Sequence, residues 1–272
     1  MVGNWGVSSG NANPYISGKH ACSWGRSTSG PNFRESEFTT QHPDSTIVIE
    51  KNRTEYAKDS KKESQEEMSF GIIVLSNRFC IVAADTRSTL MHGTSALYYD
   101  NYQKIAAVPN TNIVAMSTGV NSFDGQTFTD IVNSCSAKNL EEAADEIFGK
   151  VSEFVIKVNG NFFLHLCEVR DGHIMFGHKE IKDGKVSGLT TVNTSTYRKS
   201  VAYAHGPAWA TKLITLIDIP HEEAFAVESV TQVMDTFKAV SQNIGPLFGD
   251  TKTIGGNTQM VVLSVDKGVW RV

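Results

Sequence analysis

The pattern of apolar and polar positions changes after the first quarter of the chain. Residues 1–67 are rich in Ser, Gly, Asn, Thr and charged side chains, and only residues 46–49 form an apolar run of the β type. Residues 52–67 carry so many Lys and Glu side chains that they are expected to stay solvated. We therefore expect residues 1–68 to be a polar leader, propeptide-like and disordered, and residues 69–272 to form the folded domain.

Beyond residue 68, short apolar runs separated by polar turn residues predict β-hairpins. The runs are rich in β-branched residues, and Asn, Pro, Asp and Gly occupy the turns between them. The predicted hairpins pair residues 69–75 with 79–84, residues 103–108 with 112–116, and residues 161–169 with 173–177. Two further strands, at residues 258–265 and 269–272, are predicted to close the chain.

Between the strands, apolar residues recur every three or four positions, which is the period of an amphipathic helix. This period predicts two helices within residues 124–157, with a break near residues 136–139, and two more at residues 207–217 and 222–244. Pro207 suits a helix start because its missing N–H is not needed there. Strands followed by helices, twice over, predict an α+β fold: a four-layer αββα sandwich, with two sheets face to face and helices outside each.

Composition and charge argue against several classes of partner. The net charge is −4, so no surplus of Lys and Arg is present to neutralise a nucleic acid or an anionic membrane. No run approaches the roughly 18 apolar residues that a membrane-spanning helix needs. The four cysteines are far apart, and the eight histidines lack the spacing of metal ligands. We expect no metal, no cofactor, and a reducing compartment, the cytoplasm or the nucleus.

Four short segments carry a more specific signal. The predicted strand at residues 80–87 ends in Asp85 and Arg87. The other segments follow in the order Tyr102-Gln103-Lys104-Ile105, then Ser117-Thr118-Gly119, then residues 250–256 with their Gly-Gly pair. In this order and spacing, the segments resemble the β subunits of proteasomes, which belong to the amino-terminal-nucleophile (Ntn) hydrolases.

The resemblance implies the chemistry of a threonine-type endopeptidase. In that family the nucleophile is the hydroxyl of the first residue left after leader removal, and the freed α-amine or a lysine acts as the base. The family's spacing between the nucleophile and the strand aspartate puts the nucleophile at Ser69. Serine preserves the reaction type, but it lacks the γ-methyl group that restricts χ1 in threonine. The implied function is that of a β subunit in stacked rings of proteasome α and β subunits, which degrade polypeptide substrates inside the cell.

The resemblance also implies a role for each matching residue. Lys104 would take the hydroxyl proton, Asp85 would orient Lys104 through an ion pair, and Arg87 would support them. Asp250 and Thr253 would hold the terminal amine and a water. The turn formed by Thr118 and Gly119 would bind the oxyanion, and Met116 would line a substrate pocket.

Several positions depart from the pattern of an active subunit. Met68 stands where self-cleaving subunits have glycine, Phe70 replaces a small residue, and Thr118 occupies the place of the oxyanion glycine. One residue is inserted before Gly255, which affects the match of Thr253. Two alternatives therefore stay open: a non-catalytic β subunit that shapes the ring, and a free-standing Ntn amidase that acts on a small amide.

Overall fold

The structure is a computed structural model that describes residues 69–92, 95–244 and 252–272. These residues all lie in one compact unit, Lys58–Val272, and they form a mixed α and β fold with several antiparallel sheets. A second unit, Met1–Ala57, lies outside the described residues, as does the whole of the predicted leader. The prediction of a boundary at residue 68 therefore stays a prediction.

The described elements follow the predicted order, with ends that differ by a few residues. The strands are β1 (Gly71–Leu75), β2 (Phe79–Asp85), β3 (Ser88–His92), β4 (Ser95–Tyr99), β5 (Ile105–Ala107), β6 (Ile113–Gly119), β7 (Ser122–Phe123), β8 (Gln126–Thr127), β9 (Phe162–Arg170), β10 (His173–Lys182), β11 (Lys185–Val186), β12 (Thr190–Asn193), β13 (Val201–His205), β14 (Thr258–Ser264) and β15 (Gly268–Arg271). The helices are α1 (Phe128–Asn133), α2 (Leu140–Lys157), α3 (Ala208–Ile214) and α4 (Glu223–Asn243). The predicted mixture of helices and strands is confirmed.

The first sheet has the strand order β13-β1-β2-β14-β15, with every neighbouring pair antiparallel. Every residue of β1 and β2 is buried, which explains why their sequences are continuous apolar runs instead of alternating ones. The predicted hairpin is confirmed, with Leu75 opposite Cys80 near the turn and Gly71 opposite Ala84 at the other end. Asp85, the last residue of β2, therefore lies beside the residues that precede β1.

The second sheet has the strand order β11-β10-β9-β6-β5, and β12 also pairs with β10. The hairpin predicted around residues 170–172 is confirmed, and its two strands pair from Arg170 opposite His173 to Phe162 opposite Ile181. On the other side of β9, the buried strand β6 ends with Gly119 opposite Phe162. The predicted small-residue turn is thus the end of an interior strand.

Buried apolar side chains form three clusters. One joins the second sheet to α1 and α2, another joins the first sheet to α3 and α4, and the third contains side chains from both sheets. Neighbouring residues of one strand belong to different clusters, as Ile72 and Ile73 of β1 do, because side chains alternate between the two faces of a strand. Both sheets are therefore covered on two faces.

The break that the sequence predicted near residues 136–139 separates α1 from α2, and it ends at the N-cap of α2, Asn139. The Asn139 side chain accepts a hydrogen bond of 2.8 Å from the backbone N–H of Glu142, which satisfies one of the free donors at the start of α2. At α1, Thr127 and Asp130 exchange side chain and backbone hydrogen bonds in a capping box. Among the described helices, no helix is long and apolar enough to cross a bilayer.

The sequence analysis missed several short strands. The pairs β3–β4 and β7–β8 were not predicted, and neither were β11, β12 and β13. The omission of β13 matters most for the site, since this strand pairs with β1 and sets His205 opposite Gly71. Five residues followed by a Gly-Pro turn give too short a pattern to separate a strand from a loop.

Candidate active site around Ser69

Ser69 lies two residues before the start of β1 and is only 3% exposed. Its Oγ accepts a hydrogen bond of 3.4 Å from Nδ2 of Asn121. Gly206, the residue after β13, lies close to the Ser69 backbone. A Cβ added to Gly206 would stand 2.9 Å from the Ser69 carbonyl oxygen. Gly206 has φ +150 and permits this approach without a side chain.

Asp85 accepts hydrogen bonds from three separate segments of the chain. Its Oδ1 accepts from the backbone N–H of Phe70 at 3.0 Å and from Nζ of Lys104 at 2.6 Å. Its Oδ2 accepts from the backbone N–H of Gly255 at 3.0 Å. We call this arrangement of Asp85, Lys104 and the two backbone N–H groups the carboxylate hub. It ties the residue after Ser69 to the lysine through a single carboxylate oxygen.

The ion pair in the carboxylate hub is fully buried, with both side chains 0% exposed. Buried charges are tolerated when they are paired and their remaining hydrogen-bonding groups are satisfied. Lys104 meets this condition because Nζ also donates to the carbonyl oxygen of Arg87, while its backbone N–H donates to Oε1 of Gln259 at 2.9 Å. The hub therefore holds an ammonium group in a fixed position next to the segment that contains Ser69.

Arg87 supports the hub from the outside. Its guanidinium group binds both carboxylate oxygens of Asp100, at 2.5 and 2.7 Å, and donates to the carbonyl oxygen of Lys252 at 2.9 Å. The hydrogen bonds to Asp100 raise the pKa of Arg87 and lower the pKa of Asp100. A Cβ at Gly255 would lie 2.3 Å from the guanidinium carbon of Arg87, so the glycine allows the loop to approach.

The predicted oxyanion turn is held by a histidine that the sequence analysis did not select. Thr118 is 0% exposed, and its Oγ1 lies 2.8 Å from Nδ1 of His205. The next residue, Gly119, has φ +90, and a Cβ there would stand 2.2 Å from the carbonyl oxygen of Asn161. Glycine is therefore required at position 119 for both backbone conformation and space.

Three histidines that are distant in the sequence come together beside this turn. Nδ1 of His165 lies 3.3 Å from Nδ1 of His178, and the ring centres of His165 and His205 are 6.0 Å apart. Nε2 of His165 is buried without a hydrogen-bond partner. We call these residues the histidine cluster. Within the described ranges, no group of three or more His, Cys, Asp or Glu residues is arranged to hold a metal ion.

Burial keeps two of these imidazoles neutral. It lowers the pKa of His165 well below the ordinary value, and the neighbouring His178 and His205 add to this shift. Burial is also the main cause that lowers the pKa of His205 to about 4. At neutral pH the histidine cluster therefore carries no charge on these two rings.

The other candidate residues occupy different surroundings. Met116 is buried in the cluster that contains side chains from both sheets, and a Cβ at Gly71 would lie 2.6 Å from its sulfur. Thr253 is fully buried. Asp250 and Met68 lie outside the described residues, so their predicted roles stay predictions. The structure thus pairs Asp85 with Lys104 and binds the backbone N–H of Phe70, the residue after Ser69, to the same carboxylate. Met116 packs against the first residue of β1.

Sequence reasoning missed two residues that contact the candidate site, Asn121 and His205. Asn121 is 1% exposed, and besides Ser69 it contacts Ser117, whose Oγ donates to its Oδ1 at 3.2 Å. A buried polar residue just after a small-residue turn was the available signal for Asn121. His205 gave no comparable signal, because its contact with Thr118 depends on a strand that was not predicted.

The sequence matches no protein-family model and no curated protein sequence. The resemblance to proteasome β subunits therefore depends on the residues and contacts described above.

Proposed function

We propose that this chain is a β-type subunit of a proteasome-like particle that degrades proteins inside the cell, with Ser69 as its nucleophile once the leader is removed. The observation that carries the proposal is the carboxylate hub, in which Asp85 Oδ1 accepts from both Lys104 Nζ and the backbone N–H of Phe70. The resemblance assigned Ser69, Asp85 and Lys104 to one reaction centre from sequence spacing alone. The contact with Phe70 sets the hub one residue away from Ser69, and this neighbourhood supports the proposal.

The proposal includes the four-layer αββα sandwich of the Ntn hydrolases. Support for it comes from the three apolar clusters, one on each outer side of the two sheets with helices and one shared by both sheets. In this arrangement the mature domain begins at Ser69, and β1 carries the new terminus into the first sheet.

The proposed reaction is amide hydrolysis through an ester intermediate. Cleavage after Met68 frees the α-amine of Ser69, and this amine takes the proton of the Ser69 hydroxyl, while the positive charge of Lys104 favours the negative charge that develops on Oγ. Oγ then attacks the substrate carbonyl carbon, and backbone N–H groups of the Thr118-Gly119 turn stabilise the oxyanion. The C–N bond breaks as the leaving amine takes a proton, and water hydrolyses the ester to restore Ser69. Asn121, which donates to Ser69 Oγ, orients the hydroxyl.

A non-catalytic β subunit is the second candidate, and a specific observation favours it. Two residues that depart from the active pattern are used for packing. Phe70 is 0% exposed and packs against Phe237 with tilted rings whose centres are 5.3 Å apart, and Thr118 is fully buried against His205. A subunit that only shapes a ring needs these contacts more than it needs turnover. In both candidates the partners are other α and β subunits in stacked rings, and the compartment is the cytoplasm or the nucleus.

Peptide hydrolysis by the purified native protein separates the two candidates. For a catalytic subunit, we expect Ser69→Ala to reduce turnover by on the order of 10³-fold or more while particle assembly stays intact. Ser195→Ala is the matched control, because Ser195 is exposed and far along the chain from the hub, and it should leave turnover unchanged. Equal turnover in the Ser69→Ala variant and the native protein would leave only the structural role.

Particle size tests the alternative of a free-standing amidase. The chain has a mass of 29.8 kDa. Elution near this mass, together with hydrolysis of a small amide, would replace the ring proposal by the amidase. A particle many times heavier supports the ring and removes the amidase.

A further inference from the structure

Two cysteines from different sheets face each other in the interior. Cys80 lies in β2 of the first sheet and Cys167 lies in β9 of the second sheet. Their Sγ atoms are 2.9 Å apart, with 0% and 1% of the two residues exposed. Both are free thiols in the structure. The candidate site uses neither of them.

The surroundings of this thiol pair are apolar. Cys80 pairs with Leu75 and Leu263 on its neighbouring strands, and Cys167 pairs with Val114 and Phe176. Burial, with a smaller contribution from the hydrogen bond to Cys167, raises the pKa of Cys80 well above its usual value. Cys80 is therefore rarely a thiolate in the closed protein, and because both cysteines are buried, oxidation requires the interior to open briefly.

We propose that Cys80 and Cys167 form an oxidation site, at which a hydroperoxide converts the two thiols into a disulfide that links the two sheets. A sulfur–sulfur bond is about 2.0 Å long, so the two Sγ atoms need to approach by less than the radius of one atom. No other pair of cysteines within the described ranges is in contact, because Cys135 instead donates to the carbonyl oxygen of Ile131 at 3.4 Å.

The chemistry balances with one hydroperoxide molecule for each disulfide. One thiol loses its proton, and its sulfur attacks a peroxide oxygen to give a sulfenic acid and a molecule of water or alcohol. The second sulfur then attacks the sulfenic sulfur, forming the S–S bond and releasing a second water. Two thiols are oxidised by two electrons in total, and the peroxide is reduced.

The bond would stabilise the fold because the two cysteines are 87 positions apart. Closing so long a loop removes many conformations from the unfolded chain. We expect the midpoint of thermal unfolding to rise by about 5–15 °C on oxidation. The inference is independent of the proposed protease function, because it depends only on the contact between the sheets.

The test uses the folded full-length protein, treated with hydrogen peroxide, alkylated in denaturant and digested for mass spectrometry. We expect a linked peptide that contains Cys80 and Cys167, while Cys135 is recovered as an unlinked peptide. The Cys135→Ala variant should form the link at the wild-type rate, and Cys80→Ala should not form it. Low urea, below the unfolding transition, should speed the reaction because it favours opening of the interior.

Three results would overturn the inference. The first is full alkylation of both cysteines after peroxide treatment, and the second is recovery of Cys80 or Cys167 as a sulfinic or sulfonic acid with no linked peptide. The third is a link that appears only in fully denaturing urea, since proximity in the native fold would then play no part. Thermal unfolding of the oxidised Cys135→Ala variant, with and without reductant, measures the shift in the midpoint.

Discussion

Two buried polar groups lie on either side of the start of β1, and they are stabilised in opposite ways. Gly71 pairs with Ala84, next to the carboxylate hub, on one side and with His205 of the histidine cluster on the other. The hub keeps two full charges and supplies each with hydrogen bonds. The histidine cluster has a buried nitrogen without a hydrogen-bond partner, and burial favours the neutral state of His165 and His205. Polar groups can thus be buried near Ser69 either by pairing charges or by removing them.

This difference predicts different weaknesses. The hub should be sensitive to the loss of one partner, because each of its buried charges needs the other. The histidine cluster should be sensitive to acid, because burial disfavours the protonated form of His165 and His205. The predictions below separate the two groups, from the largest expected effect to the smallest.

Removal of the ammonium from the hub should have the largest effect. Lys104→Met leaves Asp85 as an uncompensated buried charge, and we expect the free energy of unfolding to fall by about 3–5 kcal/mol. Lys157→Met, at an exposed position of α2, is the control and should change stability little. Urea unfolding monitored by circular dichroism measures both variants.

A second substitution sharpens this prediction. Adding Asp85→Asn to Lys104→Met removes the stranded charge, so the double variant should be less destabilised than the sum of the two single variants. Additive effects would contradict the view that the two side chains act as one ion pair.

The backbone at the end of β6 should show the next largest effect. Gly119 and Gly125 have nearly the same backbone angle, φ +90 and +89, but a Cβ at Gly119 would stand 2.2 Å from a carbonyl oxygen, whereas Gly125 has no atom within 4 Å. Gly119→Ala should therefore destabilise the fold by about 3 kcal/mol more than Gly125→Ala. Equal losses of stability would mean that backbone strain alone, without the clash, sets the requirement.

Acid should weaken the fold through the histidine cluster. The pKa of His205 is about 4 in the folded state, below the ordinary 6.5, so the unfolded state binds more protons between these values. Stability is therefore complete above pH 6.5 and is lost as the pH falls towards 4, by about 2 kcal/mol at pH 5 from His205 alone.

The comparison of urea unfolding at pH 5 and pH 7.5 checks this prediction. His205→Gln should reduce the difference between the two pH values, whereas His173→Gln, at an exposed position, should keep it. An unchanged pH dependence in His205→Gln would assign the acid sensitivity to other groups.

The contact between Thr118 and His205 should contribute less to the free energy of unfolding than the hub, Gly119 or the acid effect of His205. A double-mutant cycle with Thr118→Val and His205→Leu should give a coupling energy of about 1 kcal/mol, the usual value of one net hydrogen bond. A coupling energy near zero would show that the 2.8 Å contact does not stabilise the turn.

The smallest effect is expected at the surface. Arg78 and Asp266 form an ion pair at 2.5 Å, but their side chains are 66% and 60% exposed. Water and salt screen such a pair, so Arg78→Ala should leave the urea midpoint unchanged within error. A clear loss of stability would mean that the pair belongs to a larger network.

Hydrophobic periodicity was sufficient to predict the strands and helices that form the core. The runs at β1 and β2 and the helical spacing of α2 are long and strongly apolar, so their local pattern agrees with the fold. Short strands such as β13 were not predictable, because their pairing comes from β1 and not from their own sequence. Asp85 and Lys104 were selected because they stand in motifs with a family spacing.

The histidine cluster shows what local sequence leaves out. His165 and His178 meet because β9 and β10 pair in one register, and a slip of a single residue would turn one ring to the other face of the sheet. His205 joins them from the first sheet. No spacing along the chain encodes a contact that depends on a pairing register and on the packing of two sheets.

The amino-terminal residue of the native protein tests the central claim most directly. If Ser69 is the nucleophile, the mass of the chain from the purified particle must correspond to residues 69–272, and a hydroxyl-directed inhibitor must form its adduct on Ser69. A chain from the native particle that still carries Met68, with Ser69 unmodified by the inhibitor, would contradict it.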